Sequence, residues 1–138
     1  MRDSMIDDVA ARPSLAPAVR DAAGATAGAA VDLAGTRNYF RTVMLVAVAG
    51  EITDGTHTLT VEHSDNGSTG WTEVPAELHD GGALVAFDDS NGSTVQRLAL
   101  RDTKRYLRAK VTVGGSPATG GVVGALFLLG SGSGRPVT

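Results

Sequence analysis

Residues 56–74 read THTLTVEHSDNGSTGWTEV, and the fold class turns on them. His57, Leu59, Val61 and His63 alternate with Thr58, Thr60 and Glu62, a period of two rich in β-branched residues, which predicts a strand with one wet face. Asn66-Gly67 supplies the positive φ that a tight turn needs, and the Ser, Asp and Thr around it can bond their own backbone. Trp71 and Val74 then resume an extended segment, so the stretch predicts a hairpin. Asn91-Gly92-Ser93-Thr94 repeats the turn chemistry of Asn66-Gly67-Ser68-Thr69 and predicts a second one. Both tetrapeptides match the N-glycosylation pattern, but nothing suggests secretion by a eukaryotic cell.

Working outward, strand signals recur over 29–33, 38–49, 71–74, 83–87, 94–100, 104–113 and 121–129, in addition to 56–64. Turns are marked by Ala34-Gly35, Thr53-Asp54-Gly55, Asp80-Gly81-Gly82, Arg101-Asp102-Thr103 and Gly114-Gly115-Ser116-Pro117. The chain is 138 residues with 18 glycines and 4% aromatics, which favours short strands and tight turns over a helical bundle. The expected fold is all-β: a single β-sandwich, jelly-roll-like or small barrel domain of about eight strands over 27–130, with an extended N-terminal arm over 1–26 and a flexible tail over 131–138. The arm is rich in Ala, Asp, Arg and Pro without a sustained period. It reads either as a disordered tail or as a segment that orders on a partner.

Two strands carry apolar residues on both faces. Tyr39, Val43, Leu45 and Ala47 oppose Phe40, Met44, Val46 and Val48, while Val123, Ala125, Phe127 and Leu129 oppose Val122, Leu126 and Leu128. Such strands need cover on both sides. A subunit interface through Tyr39, Phe40, Met44, Val46, Leu126, Phe127 and Leu128 would supply it, and so would an arm or long loop folded back. Residues 104–113 alternate cleanly and predict a half-exposed strand, whose Lys104, Arg105, Arg108 and Lys110 form a solvated face or meet an acidic partner.

The net charge of −3 speaks against direct nucleic-acid binding, and the absence of cysteine removes disulfides and thiolate zinc sites. No export signal is visible at the N-terminus, and the apolar run 43–49 is too short to span a membrane. His57 and His63 share a strand face but stand roughly 20 Å apart at about 3.3 Å per residue, so one ion cannot take both, and His79 would have to be brought in by the fold. Asp88-Asp89-Ser90-Asn91-Gly92 fails the EF-hand pattern because Phe87 stands where an acid is needed; a looser calcium site is left open. No nucleophile elbow or phosphate loop is present. The expectation is no enzyme, no cofactor and no catalytic or metal residues. Trp71, Tyr39, Tyr106 and Phe87 could form an aromatic platform for a sugar, with a core role for the tryptophan as the competing reading.

Asp54-Gly55-Thr56-His57-Thr58, Val61-Glu62, Ser64-Asp65, Gly67-Ser68-Thr69, and Lys104-Arg105-Tyr106 with Arg108 together resemble small β-rich structural proteins of tailed bacteriophages, over roughly 31–130. The resemblance implies an assembly role in the virion, and within that class a capsid decoration, or cement, protein. It would be made in the bacterial cytoplasm and bind the outer surface of the expanded capsid as a trimer. The implied partners are the major capsid protein and further copies of itself. Met5, Ile6, Val9 and Leu15 of the arm would grip the shell. A head-tail or tail component is the alternative within the virion, and a carbohydrate-binding module the alternative from another class.

Overall fold

The structure is a computed structural model that describes residues 4–34, 39–130 and 132. Ten strands are present among those residues: β1 (Ala10–Arg20), β2 (Gly24–Ala27), β3 (Val31–Asp32), β4 (Thr42–Ile52), β5 (Thr56–Ser64), β6 (Thr72–Glu73), β7 (His79–Ala83), β8 (Val95–Leu100), β9 (Tyr106–Gly114) and β10 (Gly121–Gly130). One helical turn, α1 (Met5–Asp8), precedes them. The pairings are antiparallel and make two sheets, so the all-β sandwich expectation holds. The first sheet has the order β1-β10-β4-β8-β7; the second has β2-β9-β5-β6, with β3 also on β9.

The inward residues of both sheets meet in one core, as the two-residue period dictates. Leu45, Ala47, Leu98, Val123, Phe127 and Leu129 face Leu59, Val61, Leu107, Ala109 and Val111, all of them buried. The connections contribute Leu33, Phe40, Val74 and Phe87 to the same cluster. Phe87 also exchanges two backbone hydrogen bonds with His57, at 2.8 Å each, so the crossing from β7 to β8 touches the second sheet on its way.

The N-terminal segment departs from expectation. An arm standing apart from the domain is predicted over 1–26, yet Ala10–Arg20 is a full edge strand of the first sheet, paired with β10 from Ala10↔Leu129 to Arg20↔Gly121. Gly24–Ala27 pairs with β9. Both segments are therefore strands of the sandwich. Pro13 and Pro17 hide the strand in the sequence: the register shifts between Pro13 and Leu15 and again between Leu15 and Ala18, which breaks the alternation. An edge strand tolerates proline because one row of its backbone groups has no ladder partner.

Strand β7 is also displaced, lying at 79–83 where 83–87 is expected. Its glycines erase the apolar pattern. Gly35, the start of the predicted strand at Asn38, and the tail at 131 and 133–138 lie outside the described residues.

Candidate functional site

The outer face of the first sheet is the feature that sets this sandwich apart. Register places Ala11, Leu128, Met44 and Ala99 in one row across β1, β10, β4 and β8. The next row runs Pro13, Leu126, Val46 and Arg97, and a third runs Gly124, Val48 and Val95. Val19 pairs with Val122 at the far end. The side chains alternate along β4, β8 and β10, so Met44, Val46, Val48, Val95, Arg97, Ala99, Leu126 and Leu128 point away from the core formed by Val43, Leu45, Ala47, Phe127 and Leu129. Arg97 carries the one charge in the three rows.

Val19, Val48, Val95 and Val122 stand 38–62% exposed on this face, and Val85, 60% exposed, borders it. Met44, Val46, Leu126 and Leu128 are half-buried because they shield one another. An apolar groove at one end is lined by Met5, Val9, Thr42, Met44, Ala99, Leu128 and Gly130.

The outer face of the second sheet is built differently. Thr60 opposes Lys110, Thr58 opposes Thr112, and Glu62 opposes Arg108. The Arg108 guanidinium donates to both Glu62 oxygens at 3.2 and 3.4 Å and lies 4.3 Å from the centre of the Trp71 ring. Arg105 makes a two-pronged pair with Asp32, donating from Nε at 2.8 Å and Nη2 at 2.9 Å, which holds the Asp32 carboxyl below its ordinary pKa. Lys104 reaches Asp65 at 3.3 Å. The basic cluster read from 104–110 is thus engaged within the chain at these three positions.

The predicted site residues scatter. Met44, Val46, Leu126 and Leu128 do share the outer face. Phe40 and Phe127, expected at the interface, are in the core at 4% and 0% exposure, and Tyr39 is exposed elsewhere, where its backbone bridges Ala34. Phe127 and Leu128 alternate on one strand, so both could not have served one surface. Of the shell-gripping residues, Met5 and Ile6 are 72% and 77% exposed and Val9 is half-buried, whereas Leu15 is a core residue at 3%. Leu15 is unavailable to a partner because β1 belongs to the sheet.

The aromatic platform does not assemble. Phe87 is fully buried, the Trp71 ring faces Arg108, and the Tyr106 ring packs under the turn. Gly67 is what permits that turn: its φ is +75°, and a Cβ there would lie 2.8 Å from Tyr106. Asn66 completes it by accepting from the Ser68 and Thr69 amides at 2.9 and 2.8 Å.

The histidines stay apart. His57 is fully buried, with Nε2 3.4 Å from the Asp54 carbonyl. His63 Nδ1 accepts the Lys104 amide at 3.3 Å, and burial lowers its pKa. No group of three His, Cys, Asp or Glu among the described residues could hold a metal ion. The Asp54 carboxylate instead receives the amides of Ala118, Thr119 and Gly120, which lowers its pKa and ties the β4–β5 turn to the β9–β10 turn.

These features define a two-sheet antiparallel sandwich with one polar and one apolar outer face. Among solved structures, the PBSX exported protein XepA shares this fold, with a TM-score of 0.61 and 21% sequence identity over 94% of this chain. The match covers 39% of that longer protein. No protein-family model and no curated protein sequence matches the chain.

Proposed function

We propose that this chain is a non-enzymatic structural protein of a bacteriophage particle, and within that class a decoration protein on the outer surface of the capsid. The observation that carries the reading is the apolar outer face of the first sheet, on a molecule whose other outer face is polar and internally paired. A surface of that kind needs a permanent neighbour, which is the ordinary condition of a component in a repeating lattice. Two further facts support it. The sandwich is shared with the PBSX exported protein XepA, and the turn and strand residues resemble those of phage structural proteins.

The mechanism follows from many weak, symmetric contacts. Each copy adds buried surface across a boundary between capsid subunits, and summed over the shell these contacts oppose internal pressure. Because β1 belongs to the sandwich, the shell contact falls to the residues ahead of it. Met5 and Ile6 offer apolar side chains there, at the mouth of the groove lined by Met5 and Val9.

The test is immunogold electron microscopy of density-gradient-purified particles from the producing strain, using antibody against this chain. Label spread over the heads is the expected result. Label on tails or the head-tail junction would move the protein to the alternative site in the virion, and unlabelled particles would overturn the reading.

A further inference from the structure

We infer that the outer face of the first sheet is covered by the same face of a second copy of this chain, packed sheet against sheet about a two-fold axis. The size of the face argues for it. Five strands at about 4.8 Å spacing and roughly nine residues at about 3.3 Å each give a footprint of about 24 by 30 Å, on the order of 700 Å². Specific, stable interfaces take from about 600 to about 1,000 Å² from each partner. The footprint of the face falls inside that range, so it can supply the contact of a pair by itself.

The chemistry argues for the same occupant. A two-fold contact must be complementary to itself, and a face of Val, Leu, Met and Ala side chains, with few charges or directed polar groups to match, meets that condition readily. Charge obeys it too. Arg97 lies on β8, off the β10–β4 centre and beside the small residues Gly81, Gly82 and Ala83 of the edge strand. From there its long stem can carry the guanidinium to the rim, so no like charges need be buried against each other. The chain's own N-terminal turn covers only a corner, since Met5 and Val9 reach the end of β4 and β10 and leave Val46, Val48, Val95 and Leu126 open.

A three-fold arrangement requires two different patches on each copy, and the apolar surface here is a single face. The pair deepens the structural reading by naming the partner of this face, yet it stands or falls on the free protein.

The experiment is light scattering coupled to size exclusion on the full chain across a dilution series, with L126K, V95K and T60K beside the wild type. Wild type and T60K, altered on the polar face, are expected at the mass of two chains. L126K and V95K are expected at one, with unchanged far-ultraviolet circular dichroism. A wild-type monomer at every concentration, another stoichiometry, or a dimer that survives both L126K and V95K would overturn the inference. Particle labelling reports on the virion role separately, so failure of one is distinguishable from failure of the other.

Discussion

Ser14 joins the two sheets through one hydroxyl. Its Oγ donates to the Ala29 carbonyl at 2.8 Å and accepts the Ala109 amide at 2.9 Å, while its own carbonyl accepts the Ala29 amide. Gly28 makes the approach possible, since a Cβ there would lie 2.3 Å from the Ser14 carbonyl oxygen. Ser14→Ala leaves a buried amide without its partner, and a loss of about 1–3 kcal/mol is expected in urea unfolding. Gly28→Ala should cost more, because the clash is with backbone. Neither role was legible in the sequence, where Ser14 stands among prolines and alanines and its partners lie 15 and 95 residues away.

His63 gives the stability a pH dependence of known sign. Burial holds its pKa below the ordinary value, so the folded state resists a proton that the unfolded chain accepts below about pH 6.5. The unfolded state then binds more protons, and stability falls as the pH drops through that value towards the folded pKa, then levels off. His63→Asn keeps an acceptor for the Lys104 amide and should flatten the dependence of the melting temperature between about pH 7 and pH 5. An unchanged slope would show that another group sets it.

At the scale of elements, the hairpin region was the most readable. Strand β5 occupies the predicted Thr56–Ser64, because strict alternation with β-branched residues admits little else. Strands β4, β8, β9 and β10 lie within a few residues of expectation for the same reason. Strand β1 was not readable: its prolines and register shifts mimic an irregular arm, and only pairing with β10 gives it a reason to extend. The distinction is testable by truncation. Removing residues 2–9 should leave the sandwich folded, while removing residues 2–20 deletes the edge strand, bares β10 and takes Leu15 and Ser14 from the core. A cooperative thermal transition should persist in the first variant and be lost in the second. Asp54 belongs to this scale as well. Asp54→Asn removes the carboxylate that receives three amides, and faster hydrogen exchange at Ala118, Thr119 and Gly120 is expected without global unfolding.

For the whole molecule, the sequence made visible that β4 and β10 are apolar on both sides, but not which side is the core. That choice depends on which sheet the strands join and on the bulge that sets their register near Gly121. Once the strands are placed, Val43, Leu45, Ala47 and Ala49 of β4 and Val123, Ala125, Phe127 and Leu129 of β10 fill the interior, and Met44, Val46, Val48, Leu126 and Leu128 between them form a surface with one charge in its rows. The second sheet could be read directly, since Glu62, Arg108 and Lys110 alternate with core residues and pair across strands.

The central claim is that the apolar outer face is covered in the native protein while the polar one is not. Because the chain has no cysteine, a single introduced thiol reports on its own site. We would measure maleimide labelling rates of V48C on the apolar face and T58C on the polar face in the purified, folded protein. Both side chains are exposed in the single chain. The account predicts fast labelling of T58C and strongly slowed labelling of V48C that accelerates on dilution; equal rates at every concentration would contradict it.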